Sequence, residues 1–264
     1  MTRRVSGGVP PFVVLAGNPI RWRLLVELAR GDRRVSELMA LVGRPQGLVS
    51  YHLGRLRAGG MVSARRSSFD RRASYYRVRL DRCGGMLAAA GAALHPALGG
   101  DPFDGHVRAF GSSGGRRVRV LFACTGNGSR SQLAEALLRA YAGGAIDVVS
   151  AGSHPKPIHP NTIAVLTERA IDTTGLRSKS LDEFAGQSFD CVITLCDRVR
   201  EVCPEFPGRG DRAHWSIEDP SRWPGTPRQT LPAFRGLAAE LDSRITFLCA
   251  LLTTETREGQ HHGR

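Results

Sequence analysis

The stretch Val118 to Leu138, VRVLFACTGNGSRSQLAEALL, restricts the possible folds of this chain more than any other. VRVLFA is the short, largely apolar run of a buried parallel strand, and Ser131 to Tyr141 (SQLAEALLRAY) carries leucines and alanines at helical spacing. Between them lie Cys124 and a loop of small or polar residues, Thr125, Gly126, Asn127, Gly128 and Ser129, closed by Arg130. Strand, tight loop and helix aim the loop's backbone N–H groups at one point, where they converge on an oxyanion. Gly126 and Gly128 let the chain curl, Asn127 tolerates a left-handed backbone, and Arg130 supplies a bidentate fork for a tetrahedral oxyanion. Such a positive field favours the thiolate of Cys124, the nucleophilic form.

At 264 residues the chain exceeds the ~100–200 of a usual domain, so two domains are expected. Its 41% hydrophobic content is that of an ordinary globular protein. No apolar run approaches the ~20 residues of a membrane span, and MTRRVSGGVPPFVV has no signal-peptide apolar region. A cytoplasmic location without membrane contact is therefore expected. The six cysteines, Cys83, Cys124, Cys191, Cys196, Cys203 and Cys249, are too few for a disulfide-stapled scaffold of this length. In a reducing compartment they are catalytic, metal-binding or simply buried.

The net charge of +13 is uneven. Met1 to Gly115 holds 18 Arg against 7 Asp and Glu, hence +11, whereas Arg116 to Arg264 holds 19 Arg and Lys against 17 acids, hence +2. A segment this positive suits a polyanion such as nucleic acid, because each phosphate it neutralises releases counterions. An arginine-preferring composition also produces positive surfaces, and Lys156 and Lys179 are the only lysines.

Local pattern favours a DNA reader. Asn18 and Pro19 open a helix in which Ile20, Leu24, Leu25 and Leu28 recur until Gly31. Val35 to Val42 is a short second helix, Gly43 and Arg44 make a turn, and Pro45 opens PQGLVSYHLGRLRAGG. There Leu48, Val49, Leu53 and Leu56 form the apolar stripe, leaving Gln46, Ser50, Tyr51, His52 and Arg55 on or near the other face. Met61 to Ser63 and Ala73 to Leu80 read as strands around the basic loop RRSSFDRR, a β-hairpin wing carrying Arg65, Arg66 and Arg72. This helix-turn-helix plus wing resembles the ArsR-type winged-helix repressors over residues 12–98. The resemblance implies a dimer on double-stranded DNA, with the polar helix in the major groove and the wing along the backbone. The alternative is a winged-helix protein-interaction module.

The resemblance has one departure. Where many members of that family place a Cys-x-Cys pair for arsenite or a soft metal, this chain has Glu37-Leu38-Met39-Ala40. Cys83 alone does not replace it and reads as structural. The Ala-rich helix Cys83 to Leu98 would pack the dimer, and residues 99–115 have the Gly, Ser, Asp and Pro content of a linker.

From Arg116 the second domain, 116–254, resembles the low-molecular-weight protein tyrosine phosphatase fold through CTGNGSRS in its strand-to-helix setting, and within it the thioredoxin-coupled arsenate reductases. That implies an α/β domain with a four-stranded parallel sheet. It also implies a general acid at Asp219, before Pro220 on a loop after a strand at Ala213 to Ile217, and a Ser131 hydroxyl that steadies the Cys124 thiolate. In the family's phosphatases, aromatic residues follow the Asp-Pro pair. Here Ser221 and Arg222 follow, which suits a small inorganic oxyanion, arsenate or phosphate.

Cys196 and Cys203, at the end of the strand Cys191 to Leu195, have no use in a phosphatase. In the resembled reductases Cys196 would attack the Cys124 arseno-adduct and Cys203 would then attack Cys196, handing the disulfide to thioredoxin. Seven helical steps span about 10.5 Å, beyond the ~7 Å a disulfide allows between Cα atoms, so this segment must unwind on oxidation. Asn127, Glu135 and Ser150 match potassium-site positions in the family, but Lys179 stands where a carboxylate ligand belongs, and neither a metal nor a cofactor is expected. Cys191 and Cys249, the latter in a terminal helix Pro232 to Thr253, read as buried and inert. The combined expectation is a DNA-binding regulator fused to an arsenate reductase. A tyrosine phosphatase domain, or a catalytically idle oxyanion sensor controlling DNA binding, are the alternatives.

Overall fold

The computed structural model describes residues 8–95, 98–99, 117–208 and 210–261, with side chains described up to 252 apart from that of 250. The chain divides into two compact units, Met1–Gly105 and His106–Arg264. The expected linker lies, from residue 100 onward, outside the described residues.

The first unit runs α1 (Pro11–Ala16), α2 (Pro19–Ala29), β1 (Arg33–Arg34), α3 (Val35–Val42), α4 (Gln46–Ala58), β2 (Val62–Arg66), β3 (Ser74–Val78) and α5 (Leu80–Leu94). Asn18 caps α2 as its sequence implies: its Oδ1 accepts from the Ile20 and Arg21 amides at 3.1 and 3.2 Å, with Pro19 at the first helical position. Gly43 ends α3 at φ 63°, a left-handed conformation that glycine adopts without steric cost, and redirects the chain into α4. Leu24, Leu28, Leu38, Val49, Leu53, Leu56 and Met61 close one core under this helix pair. The three strands form an antiparallel sheet in the order β1-β3-β2.

Two expectations need correction here. The hairpin strands are Val62–Arg66 and Ser74–Val78, so Arg65 and Arg66 belong to a strand, where Arg65 pairs with Tyr75 and Arg66 with Ser74. Leu48, expected in the apolar stripe, is 38% exposed, and His52, expected on the reading face, is only 6% exposed. The buried positions of α4 are Val49, His52, Leu53 and Leu56, an i, i+3, i+4, i+7 stripe that includes the histidine.

The second unit runs β4 (Val118–Cys124), α6 (Arg130–Ala142), β5 (Ile146–Gly152), α7 (Pro160–Glu168), β6 (Cys191–Thr194), α8 (Asp197–Val202), β7 (Asp211–His214) and α9 (Pro227–His261). Its sheet is parallel in the order β5-β4-β6-β7. β4 is interior, and Val120 to Ala123 are each 0% exposed, which explains a run too apolar for a one-faced strand. Parallel order brings the carboxyl ends of β4, β5, β6 and β7 to one edge of the sheet. At that edge stand Cys124, Gly152 and the turns after Thr194 and His214.

The terminal helix begins at Pro227, before the expected Pro232, because its first turn is held independently of that proline's missing N–H. The Gln229 Oε1 accepts from the Thr226 amide at 2.8 Å, and the Thr230 amide donates to the Thr226 carbonyl at 3.1 Å. β7 ends at His214 rather than Ile217, and the chain leaves the sheet there toward the Cys124 loop.

Candidate functional site

The loop after β4 is held from behind. Ser153, His154, Lys156 and His159 donate backbone N–H groups to the carbonyls of Cys124 (3.2 Å), Thr125 (2.8 Å), Gly126 (2.8 Å) and Gly128 (2.9 Å). With its carbonyls engaged outward, the loop is left to turn amides inward. Asn127 takes the left-handed conformation at φ 46° and points its N–H at Cys124 Sγ, 3.2 Å away. Gly128 is required by close approach, since a Cβ there would stand 2.7 Å from the Pro157 carbonyl oxygen.

Cys124 Sγ also lies 2.9 Å from Ser131 Oγ. That hydroxyl already accepts from Asn127 Nδ2 at 2.9 Å, so its own proton is free to point at the sulfur. The same Nδ2 donates to Ser150 Oγ at 2.7 Å, Ser150 donates to Glu135 Oε2, and Lys179 Nζ donates to Glu135 Oε2 at 3.0 Å. Asn127 Oδ1 accepts from Gln132 Nε2 at 2.9 Å and from the Lys179 amide at 2.7 Å. Asn127, Ser131, Glu135, Ser150 and Lys179 are all buried, so the thiol's immediate partner is oriented by a closed polar network. The Lys179 ammonium supplies the cationic charge within the Asn127–Glu135–Ser150 group.

Arg130, at the first position of α6, is 5% exposed. Its Nη1 donates to the Ile217 carbonyl at 3.1 Å and its Nη2 to Asp219 Oδ2 at 2.8 Å, while its buried Nε has no hydrogen-bond partner among the described residues. Burial opposes the charge, yet the Cys196, Cys124, Asp219 and Asp197 acids around it hold the guanidinium above its ordinary pKa. Asp219 Oδ1 accepts from both the amide and hydroxyl of Ser221, at 3.1 and 2.7 Å. The serine that stands where an aromatic residue was expected in a phosphatase thus holds the carboxylate in place.

Cys196 is 2% exposed at the amino end of α8, its Sγ 3.2 Å from Thr125 Oγ1, so it faces the same loop as Cys124. Cys203 follows the other end of α8, half-buried, and burial pushes its thiol up. The intervening residues are helical, and among the described residues no disulfide joins any of the cysteines. Cys191 and Cys249 are buried in β6 and α9, and burial raises the Cys249 thiol to about 11. Cys83 is half-buried against the Met61 carbonyl and is likewise raised to about 11 by burial.

A cluster that sequence reasoning missed stands directly behind Cys196. Asp197 Oδ1 accepts from Ser216 Oγ at 2.6 Å and lies 3.1 Å from His214 Nε2, and His214 Nδ1 lies 2.8 Å from Thr194 Oγ1. Asp197 is 0% exposed, and His214 and Ser216 are 3% each. The one signal in the sequence was positional: the expected strands ended at Leu195 and Ile217, so parallel pairing brings the two segments side by side.

On the first unit, Gln46, Ser50, Tyr51 and Arg55 are exposed along α4, and Arg66 and Arg72 are exposed on the wing, with Arg65 half-buried. His52 packs inward with its ring centroid 5.2 Å from that of Tyr51, and burial, then Arg21, lowers its pKa. Among the described residues no group of three or more His, Cys, Asp or Glu side chains is arranged to hold a metal, and no helix is long and apolar enough to cross a membrane.

Residues 119–258 match the family of low molecular weight phosphotyrosine protein phosphatases, and residues 18–64 match the arsR family of bacterial regulatory proteins. An arsenate reductase of Halalkalibacterium halodurans is 36% identical over 126 residues, covering 48% of this chain and 91% of the relative. One of Bacillus subtilis is 33% identical over the same length, with the same coverage. Among solved structures, an arsenate reductase in its oxidized state is 32% identical with a TM-score of 0.44, covering 50% of this chain and 96% of that one. The chain therefore belongs to the low molecular weight phosphotyrosine protein phosphatase family, as an arsenate-reductase-type domain that follows an arsR-family helix-turn-helix domain.

Proposed function

We propose that this protein is a DNA-binding transcriptional regulator of the arsenic-resistance type fused to a thioredoxin-coupled arsenate reductase, with the division at residues 12–98, 99–115 and 116–254. The single observation that carries the reductase half is the convergence of Cys124, Arg130 and Cys196 on one loop, with Cys203 one short helix away. Arsenate would enter the ring of amides from Thr125 to Arg130, take the Arg130 fork from Asp219, and meet the Cys124 thiolate, which Ser131 and the Asn127 amide steady. The partnerless Arg130 Nε supports an anion there, since a buried donor without an acceptor is costly.

In this reading Cys124 Sγ bonds to arsenic and Asp219 donates a proton to the departing oxygen. The Cys196 thiolate then attacks Cys124 Sγ. The sulfur–arsenic bond breaks with its electron pair on arsenic, arsenite leaves, and a Cys124–Cys196 disulfide remains. Cys203 attacks Cys196, freeing Cys124, and the dithiol of thioredoxin reduces the Cys196–Cys203 bond. Unwinding of α8 is required, because seven helical steps from Cys196 to Cys203 span about 10.5 Å, beyond the ~7 Å a disulfide allows between Cα atoms.

For the first unit, exposed Gln46, Ser50, Tyr51 and Arg55 on α4 would meet base edges and the wing arginines the phosphates of double-stranded DNA. Exposed Val13 and Val14 on α1 with Leu87 and Leu94 on α5 would form the apolar face of a homodimer. The phosphatase reading uses only Cys124, Arg130 and Asp219. The test measures thioredoxin-dependent arsenite release beside aryl-phosphate hydrolysis, with Cys124→Ser as control. Arsenite production that requires thioredoxin and vanishes in Cys124→Ser supports the reductase; hydrolysis without arsenate turnover would replace it with the phosphatase.

A further inference from the structure

The tip of the wing carries a large apolar side chain that the core does not use. Phe69 is 57% exposed, midway along the turn between β2 and β3. The turn is built to hold it there. Ser67, itself 3% exposed, accepts through Oγ from the amides of Phe69 and Asp70, both at 3.1 Å. The Ser67 amide donates to the Ala73 carbonyl at 2.9 Å, the Ala73 amide to the Asp70 carbonyl at 3.0 Å, and the Arg72 amide to Asp70 Oδ1 at 3.0 Å. Exposed Arg66, Arg71 and Arg72 flank it in sequence.

An aromatic ring raised on a hydrogen-bonded turn and rimmed by arginines suits a surface that is anionic at its edges and apolar within. Duplex DNA offers that combination: phosphates line the groove, and base faces lie behind it once a step is unstacked. A protein surface of acidic residues would satisfy the arginines but supplies no slot for the ring. We propose that Phe69 is a wedge that enters the minor groove and partly unstacks one base step, while Arg66, Arg71 and Arg72 take the flanking phosphates. This rests on the DNA-binding reading of the first unit and adds a deformation that α4 alone does not require. Preference should therefore appear at the step beneath the wing, for pyrimidine–purine steps such as TA or CA, which kink most readily.

The test uses the full chain and a random duplex pool. The duplex enriched by the wild-type protein is resynthesised with 2-aminopurine at successive positions, so that unstacking reads as fluorescence. Wild type should brighten one step outside the α4 contact, and Phe69→Ala should abolish that signal. It should weaken binding about tenfold, in line with loss of one stacking contact, and leave the salt dependence unchanged because no charge is removed. Phe69→Leu, still an apolar wedge, should retain most of the signal. Arg66→Ala with Arg72→Ala should instead flatten the salt dependence. Equal affinity and equal fluorescence for wild type and Phe69→Ala would overturn the wedge with the DNA-binding reading intact. If the wild-type protein enriches no duplex at low salt, the DNA-binding reading itself has failed and the wedge falls with it.

Discussion

Arg130 Nη2 and Asp219 Oδ2 stand 2.8 Å apart, so the guanidinium at the start of α6 and the carboxylate after β7 are partners. The pair explains how a guanidinium only 5% exposed is tolerated there. In the proposed reaction an entering oxyanion displaces that carboxylate and leaves Asp219 on Ser221, so that binding the anion and freeing the proposed acid would be one event.

Arg130→Lys tests the fork. It keeps the charge but loses planar, bidentate donation, and the catalytic efficiency toward arsenate and aryl phosphate should fall by about 10²–10³-fold, the usual cost of an oxyanion donor. Steady-state kinetics with both substrates decides it: efficiency within a few-fold of wild type would mean that charge alone suffices.

The network under Cys124 makes a prediction about stability. Lys179 and Glu135 side chains are 9% and 5% exposed and paired at 3.0 Å, while Arg139 reaches the other carboxylate oxygen of Glu135. Lys179→Met should destabilise the second unit by about 3 kcal/mol, the low end for breaking a buried pair, because Arg139 still faces the carboxylate. Adding Glu135→Gln should recover part of that loss. Urea unfolding of the single and double variants measures the coupling, and a Lys179→Met protein as stable as wild type would show that the ammonium is dispensable.

These elements differ in how far the sequence revealed them. The β4–loop–α6 unit was legible because an interior parallel strand is apolar on both faces and the loop's glycines and asparagine fit it alone. Asn18 and Gly43 were legible for similar reasons, since a cap and a left-handed stop use few residue types. His52 was misassigned because a polar residue occupied a slot in the apolar stripe, and spacing, not residue type, decided its burial. Asp197, His214 and Ser216 were invisible because their meeting depends on the parallel pairing of β6 with β7, where Thr194 faces His214. The Ser221 contact to Asp219 was hidden in a residue read only for what it was not.

His52 leads to a pH prediction. Burial lowers its pKa in the folded protein, so the unfolded chain takes up a proton first as pH falls below the ordinary histidine value of about 6.5. Its contribution is thus fully present above that value and is lost as pH drops toward the folded pKa. The first unit should unfold more easily at pH 5 than at pH 7, and His52→Leu should reduce the slope of stability against pH. Denaturation monitored at Trp22, the tryptophan of α2, checks this. An unchanged slope in His52→Leu would assign the dependence to another group.

The proposed thiol relay makes the most specific prediction. Cys196 lies against Thr125, beside Cys124, whereas Cys203 is separated from it by the whole of α8. In Cys203→Ser, Cys124 and Cys196 should still complete one turnover and release one equivalent of arsenite, then stop as a Cys124–Cys196 disulfide beyond the reach of thioredoxin. Cys196→Ser should stop earlier, at the arseno-adduct, with no arsenite released. Aryl-phosphate hydrolysis should survive both changes, because it draws only on Cys124, Arg130 and Asp219, and its survival certifies the fold. Rapid-quench counting of arsenite per enzyme, with disulfides mapped by mass spectrometry, separates these outcomes. Sustained multiple turnover by Cys203→Ser under thioredoxin would show that α8 need not unwind and that the disulfide is reduced where it first forms.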